Sequence, residues 1–346
     1  MFSFEKIKEE LSHEPAFRLK QALKAVYHDA CSSWEEVTVL SKDMRKRLQE
    51  RCPLEIAVTH QEASDGDTIK ALFDFAGDKI ESVLMRHDGR NTVCVSSQTA
   101  CALGCKFCLT GTLGAGRDLS VDEIITQVLY FNRILKDKVN SGGREGGLGH
   151  EGERVTNVVF MGMGEPFLNY NNVMEAIRKL NDPDWFGIGA RKISVSTAGI
   201  IPGIEKFMQE DLQLNLSLSL HAPNDKLRSE IMPINRKYPL VELLPIIKKY
   251  ISHTKRRVMI EYIMLAGVND SEKQAEELSQ VLKEELKELF FVNLIRYNET
   301  GKFKPSSTEV VNKFKKILER NKIEVVERYR FGRDIKAACG QLASRK

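Results

Sequence analysis

From about residue 91 onward, two textures of apolar residues alternate along the chain. Short runs dense in Val, Ile, Leu and Phe read as strands: "NTVCVSS", "VTNVVFM", "KISVST", "LNLSLSL", "RRVMIEYIML", "FFVNLIRY" and "IEVVERY". Between most of them the apolar positions recur every three or four residues. That spacing predicts helices over 121–137, 170–181, 201–209, 239–251, 271–286 and 307–321. Ser120 with Glu123 makes a capping box at the first of these. Strand and helix in repeated alternation imply a parallel sheet joined by right-handed crossovers. Six or seven strands fall short of the eight in a closed barrel. The expected fold class is therefore α/β, a partial, open (β/α)6 barrel.

Residues 1–86 follow another pattern and read as a small N-terminal α+β accessory domain, leaving 87–346 as the core. "FRLKQALKAVYHDA" and "KDMRKRLQERC" carry helical spacing, the second behind Ser41. Two strand-like runs follow, "TIKALFDF" and "KIESVLMRH", joined by the turn "AGD". One stretch breaks the rhythm of the core: "NSGGREGGLGHEG" (140–152), in which Gly147, Gly149 and Gly152 satisfy G-x-G-x-x-G. A dinucleotide fingerprint follows a strand and opens a helix. Here a helix precedes and a strand follows, so the stretch reads as a flexible surface loop.

Composition narrows the class. With 346 residues and 42% hydrophobic content the chain can bury a sizeable core, and no run of about 18 apolar residues predicts a membrane span. The start, "MFSFEKIKEE", lacks an apolar signal core. Seven cysteines, three of them within eight residues, fit a reduced cytoplasm and metal or redox chemistry better than a disulfide framework. The net charge of +4 is unevenly placed: residues 296–346 carry +8 and the remainder −4. A basic end on a near-neutral body suits a polyanion such as RNA, although a solvated face on "VNKFKKILERNK" accounts for part of the excess.

The chemistry concentrates in "CALGCKFC", where Cys101, Cys105 and Cys108 stand at C-x3-C-x2-C spacing. Clustered thiolates suit zinc or iron–sulfur. Structural zinc takes two cysteine pairs or adds histidine; here there is no second pair, and no histidine lies within ten residues. An iron–sulfur cube held by three thiolates leaves one iron open to chelate S-adenosylmethionine and pass it an electron. That reading leads. A zinc-stapled RNA-binding module without catalysis and an ordinary four-cysteine cluster using Cys94 are the alternatives.

Other polar residues fall at strand ends. "GMGEP" supplies Gly164 and Glu165, a carboxylate for an ammonium group. The next strands end at Ser196, at Ser219-Leu220-His221 and at Asn298. Polar side chains at successive strand ends mark the catalytic face of a parallel barrel, although each alone has a plain structural reading. Cys339, among small residues in "DIKAACGQL", follows the last strand, and Cys94 lies on the first. Thiolates are both nucleophiles and leaving groups, so such a pair near a radical centre can take up a group and release it.

"CVSSQTACALGCKFC", "MGMGEP", "SLHAPND", "MPIN" and "DIKAACGQL", in this order, resemble the radical-SAM adenine methyltransferases of 23S ribosomal RNA, the RlmN/Cfr family, over essentially the whole chain. The resemblance implies a 4Fe-4S cluster on Cys101, Cys105 and Cys108, with S-adenosylmethionine contacts at Gly164, Glu165, Ser196, Ser219 to His221 and Asn298. It implies that Cys339 first takes a methyl group by polar displacement. A 5′-deoxyadenosyl radical then abstracts hydrogen from that methyl, and the methylene radical adds to adenine. Cys94 is implied to resolve the crosslink, leaving a Cys94–Cys339 disulfide, and Glu81 to be the proton acceptor. "GMGEP" and "SLHAPND" resemble the branch that modifies carbon 2. "NLIRYN" and "YRFGRDI" lean to the carbon-8 branch, and Glu299 stands where carbon-2 enzymes usually have proline. Carbon 2 is the expectation and carbon 8 the alternative. Implied partners are 23S rRNA, tRNA as a second substrate, and a flavodoxin or ferredoxin as electron donor. A monomer is expected.

Overall fold

The computed structural model describes residues 3–140, 154–332 and 334–343. The glycine-rich stretch expected to be a loop lies, but for its first residue, outside them. Three helices open the chain: α1 (Phe4–Glu10), α2 (Ala16–Leu23) and α3 (Lys42–Arg51). Ser3 and Ser41 cap α1 and α3 by accepting a backbone N–H. The helices close on Trp34, which is fully buried and donates its indole N–H to the Cys52 carbonyl at 2.7 Å.

Four antiparallel strands follow, β1 (Val58–Glu62), β2 (Thr68–Phe75), β3 (Asp78–His87) and β4 (Arg90–Cys94). From β4 the sheet turns parallel through β5 (Asn157–Phe160), β6 (Ile193–Thr197), β7 (Asn215–Ser219), β8 (Val258–Met264), β9 (Phe290–Arg296) and β10 (Val325–Glu327). The ten strands lie side by side in chain order, with β1 and β10 as unjoined edges. The barrel is open, as expected. Crossovers run through α4 (Val121–Asn140), α5 (Tyr170–Asn181), α6 (Ile201–Phe207), α7 (Asp225–Ile231) with α8 (Leu240–Thr254), α9 (Glu272–Glu285) and α10 (Thr308–Arg320). This gives six strand–helix units before β10. The capping box at α4 is formed: Glu123 N–H donates to Ser120 Oγ and Ser120 N–H to Glu123 Oε2.

Three elements were not expected from the pattern. Strand β1 is polar and exposed at four of its five positions, so it shows no apolar alternation. Helices α1 and α7 are seven residues each and bury one apolar residue apiece, Ile7 and Ile231, so neither shows a periodicity. The expected division at residue 86 falls inside β3, whose ladder continues into β4 through Val83 opposite Cys94.

Helices pack on the outer face of the sheet. On α10, for example, Val311, Phe314, Ile317 and Leu318 are buried at helical spacing. Each such side chain contributes roughly 1.5–3 kcal/mol by leaving water. The inner face is different. Along β6, β7, β8 and β9 the inward positions include Ser196, Ser217, Ser219, Glu261 and Asn293, so the interior is polar where a purely structural barrel would be filled with aliphatics. After β10 the chain leaves the sheet and crosses toward β2 and β3. Tyr329 stacks on His87, and Ser64 N–H donates to Asp334. This strap, described over residues 328–332 and 334–343, lies across the open side of the barrel.

Candidate active site

The loop between β4 and α4 carries the three clustered cysteines. It is docked rather than free: Lys106 N–H donates to the Ile231 carbonyl, and Leu109 N–H to the Gly340 carbonyl on the strap at 2.8 Å. A Cβ on Gly111 would lie 3.1 Å from the Cys105 backbone, so the loop folds tightly on itself there. Cys101, Cys105 and Cys108 line one cavity together with Gly164, Glu165, Ser196, Ser219, His221 and Cys339. Nine of the thirteen residues singled out from the sequence thus meet in one place.

The other four divide. Cys94 and Asn298 line an adjoining chamber, again with Cys339, and Met161, Ile295, Arg328, Cys339 and Leu342 belong to both walls. Leu220 is fully buried and lines neither; its carbonyl accepts from Arg228 Nε at 3.0 Å. Glu81 lines a third cavity with Lys70, His60 and Lys336. There it pairs with Lys70 at 3.1 Å and accepts the Ala343 N–H at 2.8 Å.

Glu165 is buried, and burial pushes its carboxyl up to about 7 against the lowering effect of hydrogen bonds from the Ala198 and Phe167 N–H groups. Its own N–H donates to Gln98 Oε1, and Gly164 (φ 101°) lets the backbone approach: a Cβ there would stand 2.7 Å from Gln98. His221 has left-handed backbone at φ 60°, unusual for a histidine. Its Nδ1 accepts the Ile263 N–H at 3.1 Å and its carbonyl accepts from Asn269. Burial, with the nearby Arg228 guanidinium, lowers the imidazole to about 3, so the ring is neutral.

The thiols fall into two groups. Burial raises Cys101 to about 12 and raises Cys105 further, with Cys101, Cys108 and Glu165 adding to the Cys105 shift. Burial and Cys339 push Cys94 up to about 12, while Arg328 pulls it down. All seven cysteines are free thiols, so the implied Cys94–Cys339 disulfide is not formed. Among the described residues no three His, Cys, Asp or Glu side chains gather as the ligands of one metal ion. Tetrahedral zinc requires such convergence. Cys101, Cys105 and Cys108, soft ligands lining one cavity, would hold an iron–sulfur cluster.

Sequence reading missed two residues at the centre of the site. Glu261, buried on β8, accepts from Ser196 Oγ at 2.7 Å, Ser219 Oγ at 3.3 Å and Arg328 Nη1 at 3.1 Å. The guanidinium of Arg328 also reaches Met161 Sδ at 3.2 Å and faces both Cys339 and Cys94. The available signal was the lone charge inside the apolar run "VMIEYIM". Arg228 was missed as well. Fully buried, it donates to the carbonyls of Ala198, Ser219 and Leu220 and to Asn235 Oδ1, fastening the ends of β6 and β7 to the "MPIN" turn.

Comparison with known proteins decides the family. The model of the radical SAM superfamily matches residues 148–278, and that of the ribosomal RNA large subunit methyltransferase N-terminal domain matches residues 5–54. The dual-specificity RNA methyltransferase RlmN of Enterococcus faecalis is 42% identical over 344 residues, covering 97% of this chain and 92% of that protein. The chain belongs to the RlmN family. Its relative of the same description in Streptococcus pyogenes is 44% identical, over 95% of this chain and 90% of the other. A crystal structure of a radical SAM methyltransferase from Sphaerobacter thermophilus superposes with a TM-score of 0.88 at 40% identity, covering 99% of this chain and 97% of that one. The RlmN-family chain is thus a radical SAM RNA methyltransferase, and the zinc-stapled, non-catalytic alternative falls. The superfamily match begins after the cysteine loop, so the ligand reading rests on the loop's own residues and their shared cavity.

Proposed function

We propose that the protein methylates carbon 2 of an adenosine in large-subunit ribosomal RNA, with a tRNA adenosine as second substrate, through a methyl group carried on Cys339. The observation that carries this reading is the position of Cys339: one wall shared with the three clustered cysteines, another shared with Cys94. The dual specificity in the relatives' description supports two RNA substrates.

Cys101, Cys105 and Cys108 would hold the cluster, and Gly164, Glu165, Ser196, Ser219 and His221 would hold S-adenosylmethionine. When bound, the two together supply the methyl group and the radical chemistry. Within the chain, Arg328 sets a cation, held by Glu261, beside the sulfurs of Cys339 and Cys94. Asn298, the remaining S-adenosylmethionine contact implied by the resemblance, also donates to the Cys339 carbonyl at 3.2 Å and so ties the strap to the site. Glu81 anchors the strap at Ala343. Leu220 contributes its carbonyl to the Arg228 hub. The accessory unit is best divided at the end of its helices, near residue 54 where the N-terminal family span ends, with β1 to β3 extending the core sheet. No described helix is long and apolar enough to cross a membrane. A cytoplasmic monomer reduced by a flavodoxin or ferredoxin completes the proposal.

The test is nucleoside mass spectrometry of 23S RNA and tRNA from cells lacking and expressing the protein, against methyladenosine standards. The 2-methyl isomer in both RNAs is the expected result. Finding only 8-methyladenosine would overturn the carbon assignment.

A further inference from the structure

Tyr329 is 60% exposed, an unusual position for a ring that lines a reaction chamber. It is not a stray surface residue. Its ring stacks on His87 at 4.8 Å between centroids and 17° between planes. Phe331 closes the group, 4.7 Å from Tyr329 at 60° and 5.8 Å from His87 at 77°. His87 comes from the end of β3 and the other two rings from the strap. The imidazole is held from its far side by Asp88, 3.2 Å from Nε2. Two independent segments therefore build one aromatic surface, and Tyr329 and Phe331 are part of the chamber wall that also contains Cys94, Cys339, Arg296 and Arg328. The same chamber wall carries three cations, Arg296, Arg328 and Arg330.

We propose that Tyr329, backed by His87 and Phe331, is a stacking platform for an unpaired nucleobase of the RNA, adjacent to the adenosine that enters the chamber. The inference rests on the RNA methyltransferase reading and deepens it. An adenine whose ring carbon is to be reached inside a cavity must leave its stack, and its neighbour then loses a stacking partner. An exposed aromatic ring at the rim replaces that partner, with cations nearby for the phosphates. Stacking accepts any base, because every base offers a π face. That tolerance suits an enzyme proposed to act on two RNA substrates. Without a base, the platform leaves a large apolar face in water, which has no folding benefit.

The test uses the full-length protein and a single-stranded RNA carrying the target adenosine, with binding read by fluorescence anisotropy and turnover by methyl transfer to the same RNA. Tyr329→Ala is expected to weaken binding by about thirtyfold, the middle of the range for losing one base–aromatic stack. It should raise KM with little change in kcat, while Tyr329→Phe and Tyr329→Trp keep wild-type affinity. Replacing the neighbouring nucleotide of the RNA by an abasic site should remove the difference between wild type and Tyr329→Ala. Wild-type protein that binds RNA, with Tyr329→Ala binding it within twofold, overturns the platform alone. Wild-type protein that binds no RNA overturns the RNA reading and the platform with it.

Discussion

The wall of the cavity built by β6, β7 and β8 and the strap that faces it are held in opposite ways. The wall is over-determined. Arg228 ties three carbonyls and an asparagine together in a fully buried position. Asn269, also fully buried, donates to the carbonyls of His221 and Ile263 and accepts the Leu265 N–H. Glu261 fixes two serines and an arginine. Around Cys339, by contrast, the strap hangs on scattered hydrogen bonds to three elements: to the segment after β9 (Asn298 to the Cys339 carbonyl, Gln341 to the Glu299 carbonyl), to the cysteine loop (Leu109 N–H to Gly340, Thr110 Oγ1 to Leu342) and to β3 (Ala343 N–H to Glu81). Each net bond of this kind contributes about 1 kcal/mol. The difference assigns the roles. Under the proposed function a cofactor pocket must be rigid, whereas a thiol that would serve first the cluster cavity and then the chamber with Cys94 must ride on a segment able to shift.

The largest effect should come from the strap. Cys339→Ala is expected to abolish RNA methylation while leaving the fold intact, as read by methyl incorporation and by circular dichroism. Undiminished RNA methylation would take Cys339, and with it the strap, out of the chemistry. On the wall, Arg228→Leu leaves several buried carbonyls without donors and should cost about 3–5 kcal/mol of stability, measured by urea unfolding. A loss below about 1 kcal/mol would show that the wall is not over-determined.

A third effect is set by pH. The neutral, buried His221 cannot take a proton in the folded state until about pH 3, whereas the unfolded chain binds one near 6.5. The unfolded state therefore binds more protons below 6.5. The stability present above that pH is lost as pH falls toward 3. Between pH 7.5 and 5 the loss from this residue alone is about 2 kcal/mol. Comparing urea midpoints of wild type and His221→Asn at the two pH values isolates it, since asparagine tolerates the left-handed backbone. Equal pH dependence in the two proteins would remove His221 from the wall's account.

The smallest effect sharpens the comparison most. Glu81→Gln keeps an oxygen for the Ala343 N–H but gives up the Lys70 pair. As a strap anchor, Glu81 should lose only severalfold in methylation, with faster protease cleavage at the C-terminal segment. A loss as deep as that of Cys339→Ala would restore the proton-acceptor role that the resemblance implies.

How much of this was legible in the sequence follows the same division. The parallel strands and their crossovers were readable because their apolar runs are long and punctuated, and the ends of β5, β6 and β7 identified most of the cavity. Glu81 and Leu220 were placed by motif position, which records order along the chain and not the direction of a side chain. The alternation along β3 turns Glu81 to the face that the strap covers, and Leu220 turns into the core. Glu261 and Arg328 escaped because a buried pair announces itself only when both partners are placed, and they lie 67 residues apart in sequence. The strap's path could not be read at all, since its described residues, 328–332 and 334–343, contain neither a strand nor a helix.

The central claim is that the methyl group passes through Cys339 on a movable strap beside a cluster held by Cys101, Cys105 and Cys108. Its most direct test is peptide mass spectrometry after anaerobic incubation of the cluster-loaded protein with methyl-deuterated S-adenosylmethionine. The account predicts a labelled methyl on the peptide containing Cys339, and none in protein lacking any of the three loop cysteines. A label on Cys94 instead, or no protein-bound label from protein that methylates RNA, would contradict it.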